Sequence, residues 1–411
     1  METVKYWLGI LSHVYYVQKQ GKALLYNTQN GENIHTENHQ VIDLLEQMHE
    51  RKNLGVTEID NKTYNHPDIK IFIKESVSKN ICLFNKMIEG EPKPIQLMPI
   101  LNLQRDVERL QKEEGRSLGE DVLHYLSDIT IYINHSCELE CAPCRNYFMQ
   151  FFHCSQSFNA ENVDFNLLMS FLKQLTFTII RRLSITGGNI FLYPHFTELI
   201  TFLQKEKIKP MFGIHSGNID PGKMILLDDF PVEIFVSFPL EDAFVHNIVS
   251  QLKRKEYTKI IFCITSEEMY QQAESLISEY VIENYEYKAF YNGDNELFFK
   301  NNVYFSKDDL FCDTISQRMI FAHQKLNTNF FGKIYLFPNG DIKAHPSKES
   351  LGNSKREPLV KILEKEMRTN TAWRAIRDQT PCSECLYQFL CPSLSEYEWA
   401  LNKSNLCNIN F

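Results

Sequence analysis

Apolar positions come in three rhythms along the chain. In residues 1 to about 85, short apolar runs come first: Trp7-Leu-Gly-Ile-Leu, Val14-Tyr-Tyr-Val and Ala23-Leu-Leu-Tyr-Asn each predict a short strand. Asn27-Thr-Gln-Asn-Gly-Glu interrupts them and predicts a turn. Val41 to His49 then switches to helical spacing, with Asn38 placed to cap it, and Ile69 to Ser76 predicts a further helix or strand. Residues 86–127 read as a connector. In it Glu91-Pro-Lys-Pro-Ile-Gln is extended, and Leu101 to Arg116 is charged with a helical pattern.

From 128 to about 292 the pattern alternates strand and helix. Strands are expected at Asp128–Ile133, Arg182–Thr186, Pro210–His215, Val232–Phe238, Lys259–Thr265 and Tyr285–Tyr291. Helices are expected after Asp164, from Pro194 to Lys205 with proline in the first turn, from Glu241 to Arg254, and from Ser266 with a capping pattern. Such alternation predicts parallel strands joined by crossover helices, with ligands at the strands' carboxyl ends. Gly187-Gly188-Asn189, His215-Ser216-Gly217-Asn218 and Ser237 all fall at such ends. The last rhythm is a hairpin over Gly332 to Pro346, turning at Asn339-Gly340, followed by a tail with few apolar residues.

Composition narrows the class. A length of 411 residues fits two or three domains, and 43% hydrophobic residues suffice for large cores. The net charge of -9 argues against a non-specific nucleic-acid binder. The sequence has no apolar run of about 18 residues, so no membrane span is expected. Met1 to Tyr16 lacks the pattern of a signal peptide, which predicts a cytoplasmic protein. There 11 cysteines point to metal or redox chemistry rather than disulfides.

Eight of the cysteines form two groups. Cys137, Cys141 and Cys144 follow the first strand of the alternating region at spacing C-x3-C-x2-C. Three thiolates on one loop hold three irons of a [4Fe–4S] cube and leave the fourth open to a small chelating ligand. A zinc site is the alternative, with His135, His153 or Cys154 as fourth ligand. Cys382, Cys385, Cys391 and Cys407 offer four thiolates at C-x2-C-x5-C-x15-C, again for an iron–sulfur cluster or zinc.

The first spacing, just past a first strand, resembles that of the radical SAM enzymes. The tail resembles a SPASM domain through Cys391-Pro-Ser, Tyr397-Glu398 and Asn405-Leu-Cys407. The resemblance implies an α/β fold. A winged-helix-like peptide-recognition module would span 1–85, a partial (β/α)6 barrel 128–300 and a SPASM-like metal-binding domain 301–411. It implies S-adenosylmethionine on the open iron and an auxiliary [4Fe–4S] cluster or zinc in the tail. The partners implied are a ribosomally synthesised precursor peptide, which would add along a strand edge, and a reductant such as flavodoxin or ferredoxin. Gly187 and Gly188 match the family's Gly-Gly-Glu turn, whose acid meets the ammonium of S-adenosylmethionine; here Asn189 stands in the acid's place. Ser237 matches a polar position at the ribose. Pro143 stands where an aromatic residue is usual, and His345 where a cysteine commonly ends the hairpin. Two functions are consistent with this: radical modification of a peptide, or a pseudo-radical-SAM protein of the kind found with Gly-Gly-type precursors, which binds a peptide or partner maturase without radical chemistry.

Overall fold

The computed structural model of the chain describes residues 4–96, 112–113, 122–139, 150, 161–175, 180–240, 245 and 258–409. The helices expected over Leu101–Arg116 and Glu241–Arg254 lie outside these residues apart from short fragments. Cys141, Cys144, His153 and Cys154 lie outside them too.

The N-terminal region holds two antiparallel three-stranded sheets. One has the order β5-β1-β6, from β1 (Lys5–Ile10), β5 (Val56–Asp60) and β6 (Cys82–Lys86). The other has the order β2-β3-β4, from β2 (Val14–Lys19), β3 (Lys22–Asn27) and β4 (Asn33–Thr36). Helix α1 (His39–His49) begins where the Asn38 side chain accepts from the N–H groups of Gln40 and Val41. The Ile69 segment is helical, as α2 (Pro67–Ser78), because Ile69, Phe72 and Ile73 fall on one buried face at helical spacing. These helices share a core with Leu8, Ile10 and Leu25 of the strands.

A nine-stranded sheet forms the centre of the molecule. Six of its strands run parallel and in chain order: β7 (Asp128–Tyr132), β8 (Arg182–Thr186), β9 (Met211–His215), β10 (Val232–Ser237), β11 (Thr258–Ile264) and β12 (Tyr285–Ala289). β10 and β11 are nearly continuous apolar runs, as strands covered on both faces must be. The buried charged residue among them, Glu233, pairs with Arg182 at 2.8 Å. Among the described residues three long helices pack beside these strands. Asp164 caps α3 (Phe165–Leu175), accepting from Leu167 N–H at 2.8 Å, and Ser266 caps α5 (Glu267–Tyr280). Between them α4 (Phe196–Glu206) starts two residues after Pro194, which therefore precedes the helix instead of opening it.

The hairpin β13 (Lys333–Leu336) and β14 (Asp341–Lys343), with β15 (Gly352–Asn353), joins the same sheet. β13 pairs parallel with β7, Lys333 opposite Asp128 and Leu336 opposite Ile131. Helix α6 (Leu359–Thr369) follows, and its buried Glu366 accepts the N–H groups of Thr371, Ala372 and Trp373. That clamp seats the fully buried Trp373, whose indole N–H donates to Lys333 O at 2.8 Å. Leu24 and Tyr26 of β3 pack against Cys385, Leu386, Tyr387 and Leu390, so the β2–β3–β4 sheet rests on the C-terminal cysteine segment. Among the described residues no helix is long and apolar enough to cross a membrane.

Candidate functional site

The carboxyl ends of β7, β8, β9 and β10 bring together most of the expected residues. The chain leaves β7 through Ile133 and the fully buried Asn134. Asn134 holds the turn after β8: its amide donates to Asn189 O at 2.7 Å, and its Oδ1 accepts from Gly188 N–H at 3.1 Å. Asn189 N–H in turn donates to Ser136 O at 2.5 Å. The glycine pair is needed for this approach. A Cβ on Gly188 would lie 2.1 Å from Ser136 O, and one on Gly187 would lie 2.6 Å from Asn134 Oδ1. Only bare backbone fits between the turn and the chain that enters the cysteine loop.

Cys137 stands exposed directly beyond this contact. The Asn218 amide, from the segment after β9, donates to Cys137 Sγ at 3.6 Å and to Gly188 O at 3.5 Å. An N–H pointed at a sulfur suits a thiolate or a sulfur bound to metal. Asn189 has a second role: its Oδ1 accepts from Phe191 N–H at 3.1 Å and caps the short turn Ile190–Leu192. At the next strand ends His215 faces Ser237, Nε2 to Oγ at 3.1 Å, while its Nδ1 accepts from Gly217 N–H at 3.1 Å. The backbone donor places the imidazole proton on Nε2, so Ser237 Oγ is the acceptor and keeps its own hydrogen for a ligand. Burial lowers the His215 pKa to about 4, so the ring is neutral near pH 7.

The second site lies around the tail. Cys382, Cys385, Cys391 and Cys407 line one cavity of about 400 Å³, with Arg377, Gln388 and Glu398 beside them. Burial raises the pKa of Cys382, of Cys385 to about 11 and of Cys391 to about 12. Donors already face the sulfurs: Tyr387 N–H reaches Cys385 Sγ at 3.1 Å, Ile409 N–H reaches Cys407 Sγ at 3.3 Å, and Arg377 Nη1 is 4.0 Å from Cys382 Sγ. Four thiols with such donors suit a tetrathiolate metal or a cluster. Among the described residues no three His, Cys, Asp or Glu side chains are yet gathered as a formed cage. Arg377 is held by Glu398 at 2.6 Å and by Pro392 O at 2.5 Å.

Cys312 and His345 stand apart from both sites. Cys312 is exposed and lines a different cavity, of about 450 Å³. His345 is buried, bonded through Nδ1 to Ser347 Oγ at 2.7 Å and enclosed by the rings of Phe330, Tyr335 and Trp399. Asn218 lies in the strand-end segment the sequence pointed to, whereas Asn134, Arg377 and Gln388 were not anticipated. Asn134 carries a readable signal, a polar amide ending the apolar run Ile129 to Ile133. Gln388 and Arg377 carry none beyond nearness to the tail cysteines.

No protein-family model matches the chain, and no curated protein matches it. Three crystal structures of Streptococcus suis SuiB are similar in fold: one bound to S-adenosylmethionine, one bound to the precursor peptide SuiA, and one of SuiB alone. Identities are 12–13%, the matches cover 98% of this chain and 99–100% of those chains, and the TM-scores are 0.47–0.48.

Proposed function

We propose that the chain is a radical SAM/SPASM-type iron–sulfur protein that modifies a ribosomally synthesised peptide in the cytoplasm. The observation that carries this reading is the close approach of the Gly187-Gly188 turn to Asn134–Ser136, the chain that leads from the first of six parallel strands to Cys137, the first cysteine of the C-x3-C-x2-C sequence. In this reading residues 128–300 form a partial (β/α)6 barrel, 301–411 a SPASM-like domain and 1–85 a winged-helix-like module that takes the precursor peptide along a strand edge. Cys137, Cys141 and Cys144 hold a [4Fe–4S] cluster, reduced by flavodoxin or ferredoxin. When bound, the cluster and S-adenosylmethionine supply a carbon radical able to take hydrogen from a side chain. The chain's own part is to bind and orient. Asn218 donates to the Cys137 sulfur, Gly187 and Gly188 admit close backbone approach, Asn189 faces the cofactor's amino group, and Ser237, oriented by His215, faces its ribose. Cys382, Cys385, Cys391 and Cys407 hold an auxiliary cluster or zinc.

One observation favours a second reading, a pseudo-radical-SAM protein that binds a precursor peptide or partner maturase. Asn189 puts an amide where the family has an acid, and its oxygen already caps Phe191 N–H. The test is anaerobic reconstitution with iron and sulfide, then incubation with S-adenosylmethionine and dithionite. Formation of 5′-deoxyadenosine, absent when Cys137, Cys141 and Cys144 are alanine, is expected. A cluster-loaded chain that yields none at millimolar S-adenosylmethionine supports the second reading instead.

A further inference from the structure

Lys19 ends β2, at the turn between β2 and β3, and lies 364 residues from the tail segment it touches. Its ammonium donates to Ser383 O at 2.7 Å and to Gln388 Oε1 at 2.5 Å. Ser383 sits between Cys382 and Cys385. Gln388 is buried and passes the contact on, since its amide donates to Arg377 O at 2.5 Å. The Arg377 guanidinium then faces Cys382. A continuous chain of polar contacts therefore runs from the N-terminal hairpin to the four-cysteine cavity. The neighbouring Gln20 adds an amide contact to Glu384 at 3.1 Å.

Charge gives this chain a purpose. Four thiolates around Zn²⁺ or a [4Fe–4S]²⁺ cube leave a net charge of about -2 in a partly buried space. Arg377 already shares its charge with Glu398. Among the described residues Lys19 makes no ion pair and is half-buried beside Cys385 and Cys382. Burial lowers its pKa, while those two sulfurs act in the opposite direction.

We propose that Lys19 is the counter-cation and positioning residue of the four-cysteine metal site, so that metal loading and docking of the β2–β3 hairpin strengthen each other. The inference rests on the four-thiolate reading of the tail. Metal around Cys382–Cys391 fixes the carbonyls that Lys19 grips, and Lys19 offsets the charge that metal binding leaves. By linkage each event favours the other by the same factor. The N-terminal unit thereby senses whether the far end of the chain is metallated.

The experiment uses the full-length reduced chain with Cys137, Cys141 and Cys144 as alanine, so that the tail alone reports, and Co²⁺ as the probe. Thiolate-to-cobalt absorption is titrated against a chelator, and hydrogen exchange is followed over residues 14–27 with and without metal. Lys19→Gln is expected to weaken Co²⁺ binding 10–100-fold, the range for outer partners of metal ligands. Lys19→Arg should restore most of it, and the unfolding midpoints of the metal-free forms should agree. Metal should slow exchange over residues 14–27 in the Lys19 chain and not in Lys19→Gln. Equal Co²⁺ affinity in the Lys19 and Lys19→Gln chains, or exchange indifferent to metal, overturns the inference alone. If the Lys19 chain binds no Co²⁺, the four-thiolate reading falls and the inference with it.

Discussion

At Asn189 two demands meet on one amide. Its oxygen caps Phe191 N–H, and in the proposed reading the same side chain meets the cofactor's ammonium. Asparagine and aspartate cap equally well, so Asn189→Asp keeps the turn and adds the charge. A hydrogen bond to a charged group is worth about 1.5–3 kcal/mol, against about 1 kcal/mol for a neutral one. Calorimetric titration of the reconstituted protein should therefore show S-adenosylmethionine bound roughly ten-fold more tightly by Asn189→Asp, with an unchanged melting temperature. Weaker binding by the variant would remove Asn189 from the ammonium contact. The histidines give a prediction of a different kind. Burial lowers His215 to about 4 and His345 to about 2, and both fold as neutral rings. The unfolded chain takes up these protons near pH 6.5, so stability is full above that pH and is lost as pH falls toward 4. Urea unfolding should show a slope of about 1.4 kcal/mol per pH unit per histidine, and His215→Gln should remove its share; a slope unaltered by the substitution contradicts this. The glycine pair and Ser237 were legible in the sequence because each ends an apolar run. The cap on Asn189 and the fixed tautomer of His215 were not, since both depend on where a backbone N–H two residues on happens to point.

Among the elements, the strands of the large sheet were the most legible. Arg182–Thr186 has the expected bounds, and β10, β11 and β12 differ from expectation by a residue or two at their ends. The runs of β10 and β11 are buried on both faces, so there pattern and structure share one cause, while β12 at the sheet's edge is only half-buried. The edge strands β4, β5 and β6 went unseen because they are short and half polar, with pairing supplied by β3 and β1. The hairpin was legible from its strand–turn–strand pattern, but its partner was not: β13 continues the large sheet beside β7, a pairing across some 200 residues that no local pattern encodes. The contact of the β8 turn with the loop after β7 is the element-level feature on which the site depends. Gly188→Ala puts a methyl group against Ser136 O and forces the two apart. The expected cost is about 1–3 kcal/mol in denaturant unfolding, with reduced iron uptake on reconstitution. Uptake and stability equal to those of the unaltered chain would show that the close approach is dispensable.

Over the whole molecule, the sequence shows two cysteine groups at opposite sides of an α/β region, and the structure adds what connects the ends. The β2–β3–β4 sheet packs through Leu24 and Tyr26 on the segment carrying Cys385, and Tyr26 Oη accepts Ile315 N–H at 2.7 Å. Leu24 and Tyr26 alternate with residues facing the N-terminal core, so the strand reads as apolar without revealing that it serves two cores. The central claim concerns the other group: Cys137, Cys141 and Cys144 act together as ligands of one cube. It is tested most directly by counting iron per chain after anaerobic reconstitution, before and after those three cysteines are replaced by alanine. Loss of about four irons per chain, with the tail's metal retained, is the predicted result. Iron content unchanged by the substitutions, or zinc bound in its place, would contradict it.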